Sequence, residues 1–475
     1  MSKKSILPKS SLAEGSISNI LFNMAMPMGW GILATMSFNI VDTYFVAGLG
    51  DDALAALSFT FPIVLFAVSL SVGLGAGTSS VVAICAGIGD ERGVRTYITD
   101  SITLTIVVTI FIAIVGILSI EQLFRSIGAS EPLIALISEY MVLWYISILF
   151  FVAPMVGLSA LRAIGNTKLQ GVLMIAMAIA NAILDPIFIY GWWIFPAMGI
   201  KGAAMASLVV RMLSFFVLIY YLHYSMHLFV NPFKFKRAFA SWRKILNIGV
   251  PAMTTNVIVP LSNSVLLILV ASHGADVVAG FGVASRVESF ALLGFYALSA
   301  VIGPFCGHNR GAKEFQRLHD AQKITARFCI YTGLAISMFF AFFGREVAVL
   351  FSDELLVIEA TYHYLLIVPV SYCAYGIVMV VNASFNGLGR PIPAVLLSSI
   401  RVLVILLPLA WIGNHYMGVW GILAAIAISN IIVGFVAYIG VHRTIGTMEW
   451  NDKHKRMAKN DSDQDDMNTK EMAAA

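Results

Sequence analysis

The sequence predicts an all-α integral membrane protein, with twelve transmembrane helices arranged as two pseudo-symmetric lobes of six. Three observations predict it. Of 475 residues, 59% are hydrophobic and only 12% charged, against about 45–50% and about 25% in ordinary soluble domains. So few charges cannot coat a soluble surface, and most of the exterior must face lipid. The chain also carries twelve apolar runs long enough to cross a bilayer, each about 20 residues or more, and none shows the alternation of a lipid-exposed barrel strand. Finally, motifs of the first half return in the second at a fixed offset.

In chain order the runs centre on Ile17–Val46, Ala53–Cys85, Tyr97–Ile120, Leu133–Leu161, Leu169–Trp192 and Gly202–Tyr224. The second set is Ile245–Ser272, Val277–Cys306, Ile324–Phe343, Val357–Phe385, Pro393–Ile412 and Val419–Val441. The first run is too long for the apolar core of a signal peptide and lacks a small-residue cleavage site, so it reads as a span. Basic residues fall on one side of the spans: Lys3, Lys4 and Lys9, then Arg92 and Arg95, Arg162 and Lys168, Lys234 to Lys244, Arg310 to Lys323, and Arg390. The other side holds little more than Arg125, Lys201 and Arg345. This asymmetry places both termini in the cytoplasm.

The expected organisation is therefore a cytoplasmic segment (1–16), an N-lobe (17–226), a cytoplasmic linker (227–244), a C-lobe (245–444) and a disordered cytoplasmic tail (445–475). Asn231-Pro232 breaks any helix in the linker, and the polar composition of the tail argues against a packed core. A net charge of +4 is too small to suggest nucleic acid as a partner. Cys85, Cys306, Cys329 and Cys373 show no metal-ligand spacing and read as small buried hydrophobes.

The repeat is parallel, six spans onto six. Pro27 matches Pro251, Gly50-Asp51-Asp52 matches Gly274-Ala275-Asp276, and Leu161 to Gly165 matches Phe385 to Gly389, all at one offset. Met198-Gly199 pairs with Met417-Gly418. Repeats of this kind enclose a site near the membrane midplane that is exposed to each side in turn.

Acids inside spans are costly and usually functional. Asp42 lies near the outer end of span one and Asp185 near the outer end of span five, both roughly 8–11 Å below the outer edge at about 1.5 Å per residue. Asn181, four residues before Asp185, shares its helix face. Pro186 has no N–H, which frees the carbonyl of Ala182. Carboxylate, amide oxygen and freed carbonyl form a hard-oxygen cluster suited to Na⁺ at Asp42, Asn181 and Asp185. Burial also penalises the charged carboxylate, which makes H⁺ the alternative ligand.

The other half lacks both acids: Leu266 and Leu409 stand at the matching positions. Its own intramembrane charges are Arg286, Glu288 and Arg401. Glu288 is either a cavity acid that attracts cations or a structural partner of an arginine. Asn39, Thr43, Arg211 and Arg286 join it as candidates for cavity lining or structural charge, Arg211 as a partner for an N-lobe acid. Pro27 and Pro186 are the candidate bending points. Abundant Met and Phe suit a greasy, adaptable cavity. No nucleophile elbow, phosphate-binding loop or zinc-protease motif is present, so neither an enzyme nor an ATP-driven pump is expected, and no cofactor is implied.

Twelve spans in two repeats, Val41-Asp42-Thr43 in span one and Asn181-x-x-x-Asp185-Pro186 in span five together resemble a multidrug and toxic compound extrusion (MATE) transporter. The resemblance covers about Ser16 to Arg443. It is greatest to the DinF branch, whose ion site is in the N-lobe, since no acid lies between Ile245 and Ser272. It implies a V-shaped two-lobe fold, with Asp42, Asn181 and Asp185 as cation or proton positions and Ser207 as the hydroxyl that completes them. The implied activity is H⁺- or Na⁺-coupled antiport of cationic or amphiphilic organic compounds by alternating access. The protein is expected to be a monomer in the bilayer of a bacterial inner membrane. The alternative is a lipid-linked oligosaccharide flippase of the same superfamily, for which Arg211, Arg286 and Arg401 are candidate pyrophosphate contacts.

Overall fold

The computed structural model describes residues 12–192, 195–230 and 235–474. Lys3, Lys4, Lys9 and the Asn231-Pro232 break predicted in the linker lie outside them. Among the described residues there are helices and turns but no strands. The first half comprises α1 (Ile17–Ala47), α2 (Asp51–Ile88), α3 (Glu91–Ser126), α4 (Glu131–Ala163), α5 (Lys168–Tyr190) and α6 (Ile200–Tyr220), the last continuing into a π-helical turn. The second half opens with α7 (Phe235–Ala271), α8 (Ala275–Ala291), α9 (Leu293–Gly311) and α10 (Phe315–Val349). It closes with α11 (Leu355–Ile367), α12 (Tyr372–Gly387), α13 (Ile392–Ser399), α14 (Leu407–Met417) and α15 (Val419–Ala474).

Among the described residues eleven helices are long and apolar enough to cross a membrane, and α8 with α9, bent by 49°, make a twelfth span when taken together. Pro27 and Pro186, the expected bending points, lie inside α1 and α5, each of which is helical throughout. Three breaks fall within spans of the second half. They occur at Leu292, at the 3₁₀ turn Val368–Ser371 that carries Pro369, and at the π-helical stretch Ile400–Leu406. The last helix runs on past residue 445, where the polar composition predicts a tail. Its first polar turns are held by Lys313–Asp452 at 2.7 Å and Glu449–Lys453 at 2.8 Å.

The repeat is visible in the backbone. Gly50 and Gly274, opening the second helix of each half, have φ of 108° and 111° with ψ of 173° and 163°. Gly199 and Gly418, before the sixth span of each half, share φ of 57° and 59° with ψ of −137°. These regions admit glycine and strain other residues, so each half spends a glycine at the same turn.

The halves meet through the first helix of each against the second helix of the other. A Cβ on Gly73 of α2 would stand 2.6 Å from the Gly249 carbonyl of α7. Gly29 of α1 faces Ala297 of α9, and Gly307 of α9 faces Ala83 of α2. Such small-residue contacts let helix backbones approach closely where lipid gives no hydrophobic drive for association. They fall toward one end of the bundle, where Arg317 also donates to the Gly15 carbonyl at 2.9 Å and Asn309 to the Leu12 carbonyl at 3.3 Å. Both ends of the described chain lie at this terminal end. Buried Leu21, Met24 and Met28 of α1 belong to the apolar core of the second half, so α1 bridges the lobes.

Candidate functional site

At the end opposite the termini, α1 and α5 are tied together. The Tyr190 hydroxyl donates to the Phe45 carbonyl at 2.7 Å, and the two rings meet edge to face. Asp42 lies about one turn inside Phe45 and Asp185 between one and two turns inside Tyr190, so the tie sets both acids at similar depth. Nearer the terminal end the same helices touch again, where Gly171 of α5 leaves no room for a Cβ against the Pro27 carbonyl.

Asp185 is completely buried, and neither carboxylate oxygen has a hydrogen-bond partner. Asn181, 7% exposed, donates through Nδ2 to the Ser207 hydroxyl of α6 at 3.3 Å, while its Oδ1 is unpartnered. Asp42 is half-buried on α1 and within electrostatic reach of Asp185. The fold thus brings Asp42, Asn181, Asp185 and Ser207 together. Three orphaned buried oxygens, two from Asp185 itself and one from Asn181, lie on α5 with the Asp42 carboxyl within electrostatic reach. An unpaired buried carboxylate costs several kcal/mol, roughly, so this arrangement suits a ligand that brings positive charge, a proton or a small hard cation such as Na⁺.

Arg211 is one helical turn beyond Ser207 on α6. It donates to the Ser147 hydroxyl of α4 at 2.7 Å and stacks 5.0 Å from the centre of the Phe151 ring. It is within electrostatic reach of Asp42 but forms no ion pair among the described residues. Tyr140 of α4 sits within reach of Asp42, Asp185 and Arg211. Sequence reasoning missed Tyr140, because a tyrosine inside an apolar run reads as packing. Asn39 and Thr43 are exposed, and Thr43 spends its hydroxyl on the Asn39 carbonyl at 2.8 Å.

The second half builds a different polar centre. Glu288 of α8 accepts a hydrogen bond from the Tyr364 hydroxyl of α11 at 2.7 Å. Tyr296, Tyr372 and Tyr375 surround it, with Arg401 in electrostatic reach. Arg401, 6% exposed, lies in the π-helical stretch, donates to Asn430 at 3.0 Å and covers the Tyr375 ring at 5.1 Å. Arg286, two residues from Glu288, is exposed. The tyrosines were not singled out from sequence, since nothing in their spacing distinguishes them from core aromatics. Between the lobes, α1, α9 and α10 enclose an apolar crevice of about 360 Å³, lined by Phe22, Met26, Trp30, Leu293 and Phe328 among others.

The MatE family model matches this chain twice, over residues 27–187 and 251–412, the two halves of the repeat. The chain belongs to the MATE family. Family membership makes it a membrane transporter and not an enzyme. The FAD transporter of Shewanella oneidensis is 34% identical, the match covering 90% of this chain and 95% of that protein. The probable multidrug resistance protein YoeA of Bacillus subtilis is 26% identical, over 82% of this chain and 87% of that protein. Among solved structures, the Vibrio cholerae MATE transporter VcmN in its bent form superposes with a TM-score of 0.87 at 30% identity, covering 91% of this chain and 98% of that one. The V-shaped two-lobe architecture expected of this MATE protein is that of its structural neighbours.

Proposed function

We propose that this MATE transporter is an ion-coupled efflux antiporter whose coupling ion, H⁺ or Na⁺, binds at Asp42 and Asp185, with Asn181 and Ser207 as further oxygen donors. The observation that carries the reading is the pair of unpartnered Asp185 oxygens beside the unpartnered Asn181 oxygen. A proton or cation that neutralises these acids changes how α1 and α5 repel or attract one another, and α1 also packs into the other lobe. Ion binding on one face of α1 is thereby felt at the lobe interface, which is the requirement for alternating access. The lack of any acid in α7 between Ile245 and Ala271 supports an N-lobe site of the DinF kind. We place both termini in the cytoplasm from the basic loops, and the protein as a monomer in the inner membrane.

Two substrate classes are favoured by different observations. The apolar crevice and the acids favour cationic amphiphiles, and a relative named as a probable multidrug resistance protein is consistent with drug-like substrates. The 34% identical FAD transporter favours a flavin dinucleotide, for whose diphosphate Arg211 and Arg401, each set over an aromatic ring, are the available cations. The purified protein in liposomes, offered ethidium or FAD under an imposed pH gradient or Na⁺ gradient, separates them. Uptake of one class under one gradient names substrate and ion together; no uptake of either under both gradients rejects the antiporter.

A further inference from the structure

At the terminal end, the start of α3 and the start of α7 lean together around a second cavity of about 320 Å³. Its wall is polar. Arg92, Thr96 and Tyr97 come from α3, and Arg237, Ser241 and Lys244 from α7. The cations are differently engaged. Arg237 pairs at 3.1 Å with Asp100, which is completely buried. Lys244 donates to the Tyr97 phenol at 3.0 Å, and no carboxylate lies within ion-pair distance of it among the described residues. Arg92 is exposed and has neither hydrogen bond nor ion pair among them. Asp90, the acid on this wall, is occupied as the cap of α3, accepting from the Gly93 N–H at 2.8 Å. Beneath the cavity the Trp242 indole donates to the Asp100 carbonyl at 2.9 Å, and tryptophan is enriched where hydrocarbon gives way to headgroups.

We propose that this cavity binds a phosphate group, carried by the headgroup of an anionic phospholipid. The arginine fork matches phosphate oxygens in geometry, and the lysine supplies a point charge. Cations beside the ends of membrane helices recruit anionic lipid, and this cavity lies between the starts of α3 and α7. One wall belongs to the first half and the other to the helix that leads into the second, so a bound lipid braces the joint between the lobes. The transport reading is not needed for this site.

The test is native mass spectrometry of the full-length protein in neutral detergent, offered dioleoyl-phosphatidylglycerol or dioleoyl-phosphatidylcholine. Wild type retains the former in preference. Arg92→Gln with Lys244→Gln lowers that retention about tenfold or more, two surface cations being removed. Arg92→Lys with Lys244→Arg, which keeps the charge, restores it. Arg243→Gln with Arg327→Gln, the same loss of charge outside the cavity, leaves it unchanged. Displacement of the lipid from wild type by millimolar inorganic phosphate supports the phosphate site and assigns it a soluble ligand as well. Equal retention by wild type and the Arg92/Lys244 double variant overturns the proposal, as does an equal loss in the Arg243/Arg327 control.

Discussion

At the scale of single residues the proposed ion site turns on Asp185. A carboxyl that is completely buried with neither oxygen partnered contributes nothing to stability that its amide could not match. Asp185→Asn should therefore leave the melting temperature in detergent unchanged or higher, replacement of a costly buried charge being often neutral or stabilising, while ion-driven transport is lost. A structural aspartate would show the reverse, a drop in melting temperature with transport retained. Ser207→Ala removes the acceptor that holds Asn181. A single neutral hydrogen bond is worth about 1 kcal/mol, so the ion concentration giving half-maximal transport should rise about fivefold, with maximal flux preserved. Asp42, Asn181 and Asp185 were legible in the sequence because acids and amides stand out in an apolar run. Tyr140 was not, since it comes within reach of the acids only when α4 packs on α2 and α6.

At the scale of helices, the second half is where sequence reasoning was least informative. Interruptions of helix in the second half fall beside Glu288 and at Arg401, and neither was expected from the sequence. The π-helical stretch ends two residues before Pro408, which cannot donate to the Val404 carbonyl within it, so a proline does mark this break, though not Pro27 or Pro186, the two named as bends. The Glu288 centre reads as a joint holding α8 to α11. Tyr364→Phe should lower the melting temperature, leaving a buried carboxylate short of a donor at a cost of about 1–3 kcal/mol, and Glu288→Gln, which keeps an acceptor, should cost less. If the order is reversed, Glu288 is not held chiefly through Tyr364. Asp100 was equally visible as an acid in span three but was passed over. Its Arg237 partner lies in the segment expected to be a linker, and the structure shows that segment as the first turns of α7 clamped onto α3.

For the whole molecule, twelve spans and the repeat were legible because lipid imposes one long apolar run per crossing and because the glycines that open matched helices cannot be exchanged cheaply. How the halves meet was not legible, since glycines that allow close approach look like any others until the partner helix is known. Gly73 marks that contact. Gly73→Leu would drive a side chain into Gly249 and Met253 of the other lobe, and should reduce transport at least tenfold while substrate binding to the purified protein persists. Loss of binding together with transport would mean that the lobes themselves had failed to fold. The measurement that bears most directly on the central claim is gradient-driven substrate flux in liposomes, with wild type beside Asp185→Asn and only one of the two ion gradients imposed at a time. The account predicts flux driven by at least one gradient in wild type and none in the variant. Gradient-driven flux that survives intact in Asp185→Asn would contradict it.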